Sequence, residues 1–127
     1  DADVAVHAVM DALLGALALG DIGQWFPDND PAYAGADSMK LLQTILESAD
    51  LSDWRLVNLD LTIIAQQPKL LPWNLAMRQS LAAAFSCPLD GISIKATTTE
   101  KLGFCGREEG IAATAVVLLS RRDLTVN

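Results

Sequence analysis

Between Lys95 and Gly110 the chain reads Lys-Ala-Thr-Thr-Thr-Glu-Lys-Leu-Gly-Phe-Cys-Gly-Arg-Glu-Glu-Gly, gathering hydroxyls, carboxylates, cations and three glycines between two apolar runs. Thr97 and Glu100 have the spacing of a capping box, in which a Thr hydroxyl takes a free amide of the first helical turn and the Glu reaches back to the cap. Gly103 and Gly106 then end the turn. One reading is a tight, well-capped strand-to-helix connection. The other uses what such a turn leaves exposed. Free amides and a partial positive charge suit phosphate, Thr98 and Thr99 add hydroxyl donors, Arg107 adds a bidentate fork, and Glu100 can hold a metal that bridges phosphates. That is a diphosphate site in outline.

His7 is the second candidate, and the only histidine in the chain. Asp3, His7 and Asp11 fall four residues apart and share one helix edge. A lone helical His is ordinarily structural or solvated, because a catalytic zinc needs three protein ligands. The flanking carboxylates favour a ligand role, since a ligating imidazole donates its other N–H to such a group, here Asp3 or Asp11. Lys69, Lys95 and Lys101 are either phosphate anchors or solvated surface charges. Neither a Ser-His-Asp set, a P-loop nor a dinucleotide fingerprint is present.

Composition bounds the rest. With 127 residues and 51% hydrophobic content, one domain with a real core is expected over 1–127. A net charge of −7 and a pI near 4.4 argue against nucleic-acid or anionic-membrane partners. Any phosphate must therefore be held by local cations or metal. No apolar run approaches the roughly 20 residues that span a bilayer. Cys87 and Cys105 form no CxxC pair and read as reduced thiols of a cytosolic-type compartment.

These groups need elements to hold them. A helix from about Val4 to Leu19, capped by Asp1 or Asp3 and closed by Gly20, carries Val6, Val9, Met10, Leu13, Leu14 and Leu17 as its apolar stripe. Residues 21–35, rich in Gly, Pro, Asn and Asp, read as a long loop with exposed aromatics, either a substrate flap or a solvated turn. A second helix runs from Asp37 or Ser38 to about Ala49, with Leu42, Ile45 and Leu46 inward. A strand follows from Leu56 to Ala65, with Val57, Leu59, Leu61 and Ile63 on its apolar side. Gln66 to Lys69 form its exit loop. A third helix opens at Pro72 and reaches Phe85, with Trp73, Met77, Leu81, Ala84 and Phe85 as core, and Pro88 forbids continuation. Ile92, Ile94 and Ala96 alternate in a strand that delivers the Lys95–Gly110 stretch. Ile111 to Leu119 reads as a strand buried on both faces, covered on its second face by further chain or by another subunit, although periodicity alone also admits a helix, and the tail from Ser120 as frayed. The fold class is α+β: a small mixed β-sheet with helices packed on one face.

Several segments, 1–16, Gly20–Gly23, Phe26–Pro31, Gly35–Ser38 and Lys95–Ala112, closely resemble the 2-C-methyl-D-erythritol 2,4-cyclodiphosphate synthase family, in the right order and spacing over essentially the whole chain. The resemblance implies a homotrimer around a central axis, with active sites at subunit interfaces. It also implies a lyase of non-mevalonate isoprenoid-precursor biosynthesis. The 2-phosphate of 4-diphosphocytidyl-2-C-methyl-D-erythritol 2-phosphate attacks the β-phosphorus of its own cytidine diphosphate and expels CMP.

By the same resemblance, His7 is a ligand of zinc or manganese, Glu100 holds magnesium or manganese, and Thr98 stabilises the transition state. Asp21, Ile22 and Gly23, with Phe26, Pro27, Asp28, Asn29 and Asp30, contact the sugar and erythritol. Ala65, Gln66, Gln67, Pro68, Lys69, Leu70 and Leu71, with Thr97, Thr98, Thr99 and Glu100, frame the cytidine diphosphate. Phe104 and Arg107 belong to the site or the adjoining axial cavity. The implied location is bacterial cytoplasm or plastid stroma. The family's leading strand, whose Asp-x-His supplies the other two zinc ligands, is not in the sequence. The expectation is therefore a longer enzyme, one form of which is the second half of a bifunctional protein. The alternatives are a catalytically inactive trimeric nucleotide-binding scaffold and a metal-free mutase on a similar sheet.

Overall fold

Apolar side chains at alternate positions of three strands and on one stripe of each long helix have a single way to leave water, which is to face each other. In the computed structural model, which describes residues 2–31, 37–65, 71–98, 103 and 110–122, they do so. The elements are α1 (Ala2–Ala16), α2 (Ile22–Trp25), α3 (Ser38–Leu46), β1 (Trp54–Ile64), α4 (Leu71–Phe85), a 3-10 turn (Leu89–Gly91), β2 (Ile92–Thr97) and β3 (Ala112–Arg121). The strand order is β2-β1-β3, with β1 parallel to β2 and antiparallel to β3. A parallel pair needs a crossover, and α4 supplies it. This is the mixed α+β sheet expected.

Leu59, Leu61 and Ile63 of β1 share one face with Ile92 and Ile94 of β2 and with Val117, Ala115 and Ala113 of β3, their register partners. Against that face lie Val6, Val9, Met10, Leu13 and Leu14 of α1, Leu42 and Ile45 of α3, and Leu81 of α4, all buried. Polar ties set the angle of α4. Asn74 Nδ2 donates to Ile94 O at 3.0 Å, and Arg78 donates to Ile92 O at 2.8 Å and Leu89 O at 3.1 Å. Three carbonyls at the margin of β2 are thus satisfied from the helix.

Several boundaries differ from the sequence expectation, each for a local reason. α1 stops at Ala16, before Leu19, because Ala18 adopts a left-handed φ of 56°. Leu19 N–H then donates to Leu14 O and Ala18 N–H to Gly15 O, the paired bonds of a Schellman end with alanine where glycine is usual. α4 closes the same way at Ser86 (φ 54°), two residues before Pro88. Residues 21–35 are not all loop. Asp21 caps α2 through its carboxylate while Gln24 reaches back to Asp21 N–H, a complete capping box. Nor are Trp25 and Phe26 exposed: Phe26 is buried, and Trp25 is half-buried with its indole N–H on Leu19 O. α3 ends at Leu46, short of Ala49, and its cap is Asp37.

In β1, Leu56 pairs with Leu119 and Asn58 with Leu118, so Val57 is the extra residue of a bulge and faces outward. Leu56 takes its place in the core. Trp73 is 56% exposed and so belongs to the surface of α4 rather than its stripe. Ala96 is exposed at the end of β2. β3 extends through Ser120 to Arg121, whose guanidinium lies 4.6 Å from the centroid of the Trp54 ring. Its outward face is open in the single chain. Val116 and Leu118 are 69% and 57% exposed, so within the single chain the strand is covered on one face only.

Candidate active site

One end of the sheet brings two predicted segments together. Ile64 pairs with Thr97 in the last rung of β1 and β2, and Ala65 N–H donates to Thr97 O at 3.0 Å. Hence the exit from β1 at Ala65 and the exit from β2 at Thr97 and Thr98 leave from adjacent strands. Thr98 is exposed, and Thr97 Oγ1 lies 3.5 Å from Thr98 O. Gln66 to Leu70, Thr99, Glu100, Lys101, Phe104, Cys105, Gly106 and Arg107 lie outside the described residues, as does the side chain of Leu71. Gly103 has φ 68°, a conformation that favours glycine.

The exposed edge of α1 is more elaborate than spacing suggests. Asp3 and His7 are joined through a third residue. Ser38, at the first position of α3 and only 4% exposed, places its hydroxyl 2.7 Å from Asp3 Oδ1 and 3.4 Å from His7 Nε2. Asp11, the other flanking carboxylate, is used elsewhere. Its Oδ1 accepts Ile22 N–H at 3.0 Å and so docks the start of α2 on α1. Ser38 was not foreseen because nothing near it in sequence signals the role. It is 35 residues from Asp3 and 31 from His7, and only the packing of α3 on α1 joins them.

Beside this trio lies a groove of about 410 Å³, walled by Val6, Met39, Pro72, Trp73, Ala76, Met77, Ser80 and Leu81. Its walls are the immediate neighbours of His7 and Ser38 on one side and the first turns of α4 on the other. It is largely apolar, which suits a flat ring or hydrocarbon more than a phosphate.

The remaining predicted contacts divide. Pro27, Asp28 and Asn29 are exposed and Asp30 half-buried, in a turn closed by Asp30 N–H on Pro27 O at 3.0 Å. Ile22 is half-buried and Phe26 lies in the core, its N–H on Ile22 O at 2.8 Å. Asp21 and exposed Gly23 sit at the start of α2. Lys95 forms an ion pair with Asp60 at 2.9 Å on the open face of the sheet and is not a free phosphate anchor. With the two side chains 57% and 42% exposed, the pair contributes at most about 1 kcal/mol. Among the described residues no group of three His, Cys, Asp or Glu side chains is close enough to hold a metal, and no helix is long and apolar enough to cross a membrane.

Comparison with known proteins agrees with this architecture. A 2-C-methyl-D-erythritol 2,4-cyclodiphosphate synthase of Alcanivorax borkumensis is 62% identical over 119 residues, 94% of this chain and 74% of the relative. Among solved structures, the bifunctional IspDF from Campylobacter jejuni superimposes with a TM-score of 0.87 at 42% identity, covering 94% of this chain and 32% of that larger one. The IspF of Plasmodium falciparum in complex with CDP gives a TM-score of 0.79 at 29% identity, covering 94% of this chain and 72% of that one. The model of the YgbB family matches residues 1–120, and with these relatives it establishes that the chain belongs to the YgbB family.

Proposed function

We propose that this chain is a 2-C-methyl-D-erythritol 2,4-cyclodiphosphate synthase, a phosphorus-oxygen lyase of isoprenoid-precursor biosynthesis. The observation that carries the reading is the 62% identity to a protein of that name over 94% of the chain. The substrate is 4-diphosphocytidyl-2-C-methyl-D-erythritol 2-phosphate. Its 2-phosphate oxygen forms a bond to the β-phosphorus, the bond from β-phosphorus to the CMP oxygen breaks, and CMP leaves as the cyclodiphosphate closes. Phosphoryl transfer asks a protein mainly for positioning and charge neutralisation, which an acidic chain meets through a few local groups.

In this reading the two adjacent strand exits carry the nucleotide. Ala65 to Leu71, with Lys69, and Thr97 to Glu100 frame the cytidine diphosphate, and a CDP-bound relative of the same fold supports that class of ligand. The Thr98 hydroxyl donates to the oxygen on which charge develops. Asp21 to Gly23 and Phe26 to Asp30 border the erythritol. Phe104 and Arg107 complete the site or the cavity on the axis.

The chemistry of the His7 surroundings fits a metal ligand. The residue is exposed, one ring nitrogen faces Ser38 and Asp3, and the other has no hydrogen-bond partner among the described residues. His7 would hold zinc or manganese, with the remaining donors outside the described residues, and Glu100 would hold magnesium or manganese. Bound there, such cations neutralise phosphate charge and polarise the phosphorus under attack. The working unit is a homotrimer with sheets turned to the axis. The open apolar face of β3 supports this, since Val116 and Leu118 need a cover that the single chain does not supply. The compartment is bacterial cytoplasm or plastid stroma. The test is release of CMP from the substrate by the full-length protein with magnesium, abolished by a chelator; no release would overturn the proposal.

A further inference from the structure

Ser38 is the buried polar side chain among the described residues, and its hydroxyl stands between two groups of α1. An ionised carboxylate only accepts, so the hydroxyl proton goes to Asp3 Oδ1 at 2.7 Å. What the oxygen then offers His7 is a lone pair. A hydrogen bond across the 3.4 Å to Nε2 therefore requires that Nε2 carry the hydrogen. A neutral imidazole has one N–H, so Nδ1 bears the free lone pair, and Nδ1 has no hydrogen-bond partner among the described residues.

We infer that Ser38, anchored by Asp3, is a positioning residue for His7: it fixes the Nε2–H tautomer and presents Nδ1 as the metal-binding nitrogen. The inference rests on the metal-dependent reading above. The physical need is plain. An exposed imidazole on a helix surface is free to turn about two side-chain torsions, and a ligand that must be ordered on binding binds less tightly. Outer partners of ligating histidines remove that freedom and set the tautomer. Asp11 does not serve here: its Oδ1 accepts Ile22 N–H, and it makes no hydrogen bond to His7. Ser38 is suited to it because its backbone is fixed independently. Asp37 caps α3 through Met39 N–H at 2.9 Å, so loss of the Ser38 hydroxyl leaves the helix start intact.

The test compares the full-length wild type with Ser38→Ala, Ser38→Thr and Asp3→Ala. The tautomer is read from the imidazole ¹⁵N shifts of metal-free protein at about pH 8, above the ordinary histidine range. Zinc affinity is read by competition with a chromophoric chelator, and CMP release is measured separately. The wild type should show the Nε2–H form. Ser38→Ala should mix tautomers and weaken zinc by about 10–100-fold, and Ser38→Thr should restore both. Asp3→Ala, at an exposed position that leaves the core untouched, should act in the same direction if Ser38→Ala does not fold. A wild type in the Nδ1–H form would overturn the inference, as would zinc affinity in both Ser38→Ala and Asp3→Ala within about twofold of wild type. If CMP is never released while zinc binding and tautomer still depend on Ser38, the proposed function fails and the positioning role stands.

Discussion

The open face of β3 gives the sharpest prediction about assembly. Val116 and Leu118 project from the side of the sheet away from the helices, opposite Asp60 and Asn58 of β1. Asp60 Oδ1 on that strand is buried and has no hydrogen-bond partner among the described residues. Complete burial of a Val or Leu side chain is worth about 1.5–3 kcal/mol. With 69% and 57% of these two residues still in water, a cover gains roughly 2–4 kcal/mol per protomer. A closed trimer gains it three times, about 6–12 kcal/mol, or roughly four to nine orders of magnitude in association. Replacing both by Asp removes this gain and adds the cost of desolvating charge. Sedimentation velocity at micromolar concentration should find trimers for the wild type and monomers for Val116→Asp/Leu118→Asp, with circular dichroism unchanged because the helix-side core is untouched. If the sites are shared between subunits, as proposed, CMP release should fall with the trimer. Monomeric wild type, or a fully trimeric double variant, would refute the reasoning.

Two further outcomes follow from local geometry. Gly20 holds φ 94°, and a Cβ there would collide with Gln24 Oε1, the atom that accepts Asp21 N–H. Gly20→Ala should therefore cost about 1–3 kcal/mol and lower the melting temperature by several degrees, read by calorimetry, and an unchanged melt would contradict it. Burial first, and the negative charge of Asp90 second, push the Cys87 thiol above its ordinary range. Its alkylation at mildly alkaline pH should be slow and should quicken in Asp90→Asn, as peptide mapping after timed iodoacetamide treatment would show.

How much was legible in the sequence depended on how local each cause was. The limits of β2 and the end of α4 at Phe85 were readable because alternation and Pro88 act within a few residues. The inward side of β1 was readable at Leu59, Leu61 and Ile63 but not at Val57, since a bulge leaves no periodic trace. The end of α1 was misplaced because Ala18 takes the left-handed turn that glycine usually marks. Trp73 was read as core from its spacing, yet tertiary packing leaves it at the rim of the groove beside α4. At the candidate site, residue types and spacing singled out His7 and the stretch after β2, whereas the adjacency of the β1 and β2 exits emerges only from the parallel pairing of those strands. The Ser38 bridge was not, because its distances exist only once α3 has packed on α1.

The central claim is an intramolecular attack, and CMP release alone does not separate it from hydrolysis by water. The direct measurement is ³¹P nuclear magnetic resonance of the full-length protein turning over substrate with magnesium. Two coupled phosphorus signals of a cyclic diphosphate, appearing in step with CMP and lost on chelation, are the expected result. CMP accompanied by an open-chain bisphosphate, or substrate left unchanged, would contradict it.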